Sequence, residues 1–112
     1  MASQIIGTVS GQLLVLEQEL IVTGTNKYLT AEFKFSPDWD GLSIWAHFDK
    51  DNEHWKINLH DGKILREDKF APLTGYWEVC LHGTAPDGMR ITTQPVDLRV
   101  RRTNVDPDFP KR

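Results

Sequence analysis

The amino-acid sequence predicts an all-β protein, built as an antiparallel two-sheet β-sandwich of the immunoglobulin-like or jelly-roll-like kind, with about eight strands. Three observations lead to this fold class. Apolar residues recur at every second position in several short runs, turn residues bound those runs, and no stretch shows a convincing amphipathic helix. Two packed sheets are the simplest way to bury the apolar faces of so many short strands.

The length of the chain suits one domain. A chain of 112 residues can close a single hydrophobic core but not two. We expect the sandwich domain to cover residues 1–102. Residues 103–112 contain Pro107 and Pro110, and we expect them to form an extended tail.

The first strands are compact apolar runs. Residues 13–16 and 20–22 are separated by the polar segment 17–19, and Gly24 ends the second run. Residues 30–35 alternate more clearly, with Ala31, Phe33 and Phe35 on one face and charged residues on the other. This third run is therefore predicted to be a half-buried strand.

A hairpin follows. The run 43–48 directs Ile44, Ala46 and Phe48 to one side, and the polar loop 49–52 leads into the run 54–60. That second run has the clearest alternation in the chain: Trp55, Ile57 and Leu59 face inward, while His54, Lys56, Asn58 and His60 face outward. Asp61-Gly62 then predicts a tight turn into a short strand around Ile64-Leu65.

The last strands are predicted at 76–81, 89–93 and 96–100, with a turn at Pro86-Asp87-Gly88. In the first of these, Trp77, Val79 and Leu81 alternate with polar residues, so Cys80 is expected to face away from the core. The Gln94-Pro95 break predicts an edge strand or a β-bulge, because proline cannot donate to a ladder of hydrogen bonds.

Composition argues against several partners. The formal net charge of −3 and the pI of about 5.7 lack the basic field that nucleic-acid binders use. Arg99 and Arg101 alternate with apolar residues, which favours the solvated face of a last strand over a phosphate contact. We find no secretory signal and no apolar run of membrane-spanning length, and Cys80 is the single cysteine, so we expect folding in a cytoplasm and no membrane partner.

Four side chains are candidate metal ligands: His47, His54, His60 and Cys80. The hairpin register could bring His47 opposite His54 on the outward face. A zinc site needs three or four converging ligands, and the sequence indicates only a pair, so we expect no metal and no cofactor. The acidic loop at 49–53 resembles the start of a calcium loop, but His54 stands where that loop requires glycine.

The sequence contains no catalytic motif. Cys80 and His82 would share one face of a strand, yet a nucleophile also needs an orienting group and an oxyanion hole. No glycine-rich loop that could hold a phosphate is present. We therefore expect a protein that is not an enzyme.

The outward face of the hairpin and of the strand at 76–81 is the predicted binding surface. Exposed aromatic side chains are enriched at protein interfaces, and flat rings beside amides and carboxylates also bind sugars. We favour contact with a neighbouring subunit over a glycan or another small ligand. The candidate residues are Trp45, His47, Lys56, Asn58, Tyr76 and Glu78.

Trp39 is predicted to have a separate, structural role. It stands between Asp38 and Asp40 and is followed by Gly41. We expect its ring to lie under a sheet edge while the carboxylates cap turns.

Several short segments carry a family resemblance. They are FSPDWDGL at 35–42 followed by WAHF at 45–48, GYWEV at 75–79, and RITTQPV at 90–96. In this order and spacing the chain resembles, over roughly residues 13–101, a β-sandwich domain of structural proteins of tailed phages and prophages from Gram-positive hosts. It is similar to the N-terminal module of upper baseplate and tail-fibre proteins, which docks onto the virion and carries receptor-binding parts.

The resemblance implies a non-enzymatic structural or adaptor module of a virion, in a baseplate, a fibre or a head fibre, that folds in the cytoplasm of the bacterial host. Its implied partners are further copies of itself and other virion proteins. The chain ends soon after the sandwich, so we expect a free-standing virion component or an excised docking module. The alternative is a phage-encoded protein directed at the host, which recognises a surface glycan or sequesters a small signalling molecule.

Overall fold

The computed structural model describes residues 4–18, 20–23 and 28–102, and these residues form two packed β-sheets. Within these ranges lie ten strands: β1 (Gln4–Ser10), β2 (Leu13–Leu16), β3 (Leu20–Thr23), β4 (Thr30–Phe35), β5 (Ser43–Lys50), β6 (Glu53–Asn58), β7 (Lys63–Ile64), β8 (Gly75–Thr84), β9 (Arg90–Thr92) and β10 (Val96–Arg102). Two short 3-10 helices span Pro37–Trp39 and Arg66–Asp68. The predicted all-β sandwich is confirmed. The predicted tail at 103–112 and the predicted end of the second run at Gly24 lie outside the described residues.

Both sheets contain one parallel pair, which differs from the expected antiparallel pairing. The first sheet has four strands in the order β2-β1-β4-β7, and the second has six, in the order β3-β10-β8-β5-β6 with β9 also on β8. β1 pairs with β4 in parallel, and β3 pairs with β10 in parallel. The chain leaves the first sheet after β2 and returns to it as β4. Such crossover connections, unlike hairpins, allow parallel neighbours.

The core lies between the inner faces of the two sheets. All the predicted inward residues of β5 and β8 except the partly buried Ile44 belong to the buried core, with Phe48, Val79 and Leu81 at 0% exposure. Phe70, which lies in the segment before β8, also reaches 0% and places its ring 4.5 Å from that of Phe48. The alternation in the sequence therefore predicted the buried face of these strands correctly.

The predicted break at Gln94-Pro95 is a β-bulge between β9 and β10. Across β8, Thr92 pairs with His82 but Val96 pairs with Val79, so the bulged chain carries one more residue than its partner. At the bulge the backbone amide of Leu81 bonds to a side chain: Oγ1 of the buried Thr93 accepts its hydrogen bond at 2.9 Å. β9 and β10 thus pair, one after the other, with the same edge of β8, opposite the edge that pairs with β5.

Strand β1 was not predicted, and Gly7 explains why. Its inward positions are Ile5, Gly7 and Val9, so the middle of the apolar face is a glycine. A Cβ atom at Gly7 would lie 2.7 Å from Cδ1 of Phe33, which means that the Phe33 ring occupies the place of a side chain. The apolar group that completes this strand therefore comes from β4.

Trp39 is buried, as predicted, at 2% exposure. Its Nε1 donates a hydrogen bond of 2.9 Å to the Gly11 carbonyl in the turn between β1 and β2. Its ring lies 5.2 Å from that of Phe35, and a Cβ atom at Gly83 would come within 2.9 Å of Cζ3. Trp39 therefore ties a turn of the first sheet to the end of β8 in the second.

Replacing Trp39 by phenylalanine should lower the free energy of unfolding by about 1–3 kcal/mol, because the partly buried Gly11 carbonyl loses its donor and the smaller ring leaves space. The matched control is Trp45→Phe on a solvent-facing side chain, for which we expect a loss below about 1 kcal/mol. Urea unfolding followed by far-ultraviolet circular dichroism measures both. Equal losses in the two variants would contradict the structural role of Trp39.

Candidate functional site

The structure brings all six predicted binding residues onto one surface. Successive residues of a strand point to opposite sides of the sheet, and these six take the solvent-facing positions of β5, β6 and β8. We call this surface, with the solvent-facing residues of β3 and β10, the outer face. Trp45, His47, Lys56, Asn58, Tyr76 and Glu78 all lie on it. Their role in binding stays a prediction.

The register of the hairpin differs from the one expected for its histidines. The turn has only two residues, Asp51 and Asn52, because Lys50 already pairs with Glu53. This register places His47 directly opposite Lys56, and the expected placement of His47 opposite His54 is wrong.

Three imidazoles nevertheless lie close together on the outer face. The His47 ring centroid is 5.8 Å from that of His54 and 5.9 Å from that of His82. Nδ1 of His54 bonds to Oδ1 of Asp49, while His60 lies apart and bonds to Asp68 at 3.0 Å. Among the described residues, no group of three or more histidine, cysteine or acidic side chains is arranged to hold a metal ion.

The environment of His47 disfavours its protonated form. Partial burial is the largest cause and lowers its pKa, and the neighbouring His54, His82 and Lys56 lower it further. The Asp49 carboxylate acts in the opposite direction but does not outweigh them. His47 is therefore held neutral to a lower pH than an ordinary histidine.

Cys80 faces away from the core, as predicted, and lies directly opposite His47 on β5. Partial burial raises the pKa of its thiol, and the carboxylates of Asp49 and Glu78 raise it further. A reactive cysteine needs the reverse, a lowered pKa that yields the thiolate. The surroundings of Cys80 thus favour the unreactive thiol form.

The two aromatic residues of the outer face differ in exposure. Trp45 is half-buried, and Nζ of Lys56 lies 4.8 Å from its ring centroid. Tyr76 is 69% exposed, with Cζ of Arg99 at 5.3 Å from its ring centroid. Tyr76 therefore presents more free surface to a partner than Trp45 does.

Exposed aliphatic residues continue the surface from Tyr76 to the edge of the sheet. Leu20 pairs with Arg99, which pairs with Tyr76, so these three residues form one row across β3, β10 and β8. Leu20 is 41% exposed and Val22 is 45% exposed. We call Leu20, Val22, Arg99 and Tyr76 the tyrosine patch. Of these, only Tyr76 was predicted from the sequence as a binding residue, although the alternation of β10 already placed Arg99 on a solvated face.

The next row of the outer face is acidic. Asp97 on β10 pairs with Glu78 on β8, which pairs with Asp49 on β5. All three carboxylates are exposed, and like charges directly opposite one another destabilise neighbouring strands. We call these three residues the acidic row.

Two further features lie outside the outer face. Strand β2 is an edge of the four-stranded sheet and exposes Leu13 (56%) and Val15 (52%). A cleft of about 710 Å³ lies at one end of the sandwich. It is bordered by the β1–β2 turn, by strand β9 and by the short helix Pro37–Trp39. The side chains of Asp38, Met89 and Arg90 help to line it.

Comparison of the chain with protein families, curated proteins and solved structures gives no match. In the part of the chain that the structure describes, no helix is long and apolar enough to span a membrane.

The lowered pKa of His47 predicts a pH-dependent stability. Below an ordinary histidine pKa of about 6.5, the unfolded chain binds a proton at this position that the folded chain resists, so the free energy of unfolding falls as the pH drops through that window. Urea unfolding between about pH 7.5 and pH 5 should show a shallower dependence in His47→Gln than in the unchanged protein. Ser43→Gln, on the same face of β5, is the control that keeps the imidazole. An unchanged pH dependence in His47→Gln would contradict this account.

Proposed function

We propose that this protein is a non-enzymatic structural or adaptor module of a tailed-phage virion, which docks and self-assembles through protein–protein contacts. The outer face of the six-stranded sheet is the contact surface in this proposal. Further copies of the chain and other virion proteins are its partners.

The observation that carries the proposal is the exposure of the tyrosine patch. Tyr76 at 69% exposure, beside two exposed aliphatic side chains and an arginine, has the composition that interfaces favour, since tyrosine and arginine are enriched in them. The patch continues to an edge strand, β3, whose outer side a neighbouring subunit can cover.

The virion setting is supported by the sequence resemblance alone. The segments that carry it lie at 35–48, 75–79 and 90–96, and the domain that they resemble is a β-sandwich, as this chain is. In that family the sandwich serves as a docking module rather than a catalyst. The raised pKa of the Cys80 thiol is consistent with a surface that has no covalent chemistry.

One observation favours a second candidate function, a host-directed protein that binds a glycan or a small signalling molecule. The cleft of about 710 Å³ at the end of the sandwich has the size of ligand pockets and combines Met89 with the charged Asp38 and Arg90. Loops at the end of a sandwich often carry binding residues. This function does not require self-association.

Molar mass, measured by size-exclusion chromatography with light scattering on the full chain, tests the proposal. Over a range from about 1 μM to about 1 mM we expect a defined homo-oligomer of closed symmetry, because a soluble assembly module uses a surface of fixed geometry. The control is Tyr76→Asp, which should reduce the oligomer at equal concentration while leaving the urea unfolding midpoint nearly unchanged. A monomer at every concentration would contradict self-assembly and favour the small-ligand function.

A further inference from the structure

Opposite charges occupy neighbouring rows of the outer face. Arg99 belongs to the row of Leu20 and Tyr76, and the acidic row of Asp97, Glu78 and Asp49 comes two residues further along the strands. Two residues of a strand span about 7 Å, so the basic and acidic rows lie side by side.

Within the chain these charges are poorly matched. The three acidic side chains oppose one another directly across three neighbouring strands. His54 bonds to Asp49 at one end of the row, while Arg99, in the neighbouring row, stacks against Tyr76. An external cation placed over Asp97 and Glu78 would relieve this repulsion.

We propose that the outer face is a two-fold symmetric interface with a second copy of this chain. This proposal rests on the proposed function and identifies its surface and partner. A two-fold axis that runs across the strands, between the Arg99 row and the acidic row, exchanges these two rows. Arg99 of each copy then lies over Asp97 of the partner subunit, and Tyr76 lies over Glu78 of the partner subunit.

Such an interface is self-complementary, which a two-fold contact requires because both copies contribute the same surface. The exposed side chains of Leu20 and Tyr76, which border the axis, provide its apolar part, and the two crossed charge pairs fix the register between the copies. A face-to-face pair would thus cover Tyr76 and bring an arginine of each copy to Asp97 of the partner subunit in one contact.

The two-fold axis limits the contact to part of the outer face. β5 and β6 end at the turn of Asp51 and Asn52, just beyond the acidic row, so rotation about this axis leaves Trp45 and Asn58, further along the hairpin, uncovered. The contact is therefore centred on β10 and β8 and is smaller than a standard interface, which takes about 800 Å² of accessible surface from each partner.

Paired charge reversals test this arrangement on the full chain. One variant carries Arg99→Glu, and the other carries Asp97→Lys with Glu78→Lys. Each variant alone should have a dissociation constant at least about a hundredfold higher than the unchanged protein, because both symmetric contacts place like charges together. A one-to-one mixture should form a heterodimer, since each reversed row then faces its opposite charge. Light scattering measures the association, and native mass spectrometry distinguishes the heterodimer from the homodimers.

The control is Lys34→Glu, a charge reversal at an exposed residue of β4 in the other sheet, which should associate like the unchanged protein. Urea unfolding checks that every variant folds. Reversal variants that associate as strongly as the unchanged protein would overturn this interface and leave self-assembly by another surface intact. A mixture that fails to recover association would overturn the charge pairing. A full chain that stays monomeric throughout would overturn both this interface and the proposed self-assembly.

Discussion

The strand pair formed by β5 and β8 has one face in the core and the other in solvent, and the rest of the fold is arranged around that asymmetry. On the inner face, Phe48, Val79 and Leu81 have no exposed surface. Because side chains alternate strictly along a strand, burying these residues obliges their neighbours to face outward. The outward positions of His47, His82 and Cys80, and the pairing of Asp49 with Glu78, are therefore consequences of the same register that builds the core.

The two ends of this central pair are held by contacts from connecting segments and from a turn of the other sheet. At one end, Trp39 lies against Gly83 of β8 and bonds to the Gly11 carbonyl, while the Gln12 carbonyl accepts a hydrogen bond from Gln94 at the bulge. At the other end, Phe70 packs on Phe48. These contacts stabilise the packing of the two sheets and leave the outer face free of any covering segment among the described residues. A surface held on a rigid scaffold is well suited to repeated docking of the same partner, because little conformational entropy is lost on binding.

The sequence was sufficient to predict which residues share a face but not which residues meet across strands. Period-two alternation correctly assigned Ala46, Ile57 and Val79 to the core and Tyr76 and Glu78 to the outside. Register depends on turn length, which is why the expected partner of His47, His54, lies two residues along β6 from its observed partner, Lys56. Strand β1 was missed because its central inward residue is Gly7, whose space is filled by Phe33 from another strand. The acidic row and the tyrosine patch combine residues from three strands each, so no local pattern could have shown them.

The central claim is that the outer face, and not the edge or the end of the sandwich, is the surface that a second copy covers. Hydroxyl-radical footprinting with mass spectrometry tests it most directly, because the chain carries an internal reference. Tyr76 on the outer face and Met89 in the turn before β9 have nearly equal exposure, 69% and 68%. Raising the protein concentration through the association range should lower the oxidation of Tyr76 severalfold relative to that of Met89. Equal oxidation ratios at low and high concentration, or protection of Met89 alone, would contradict the claim.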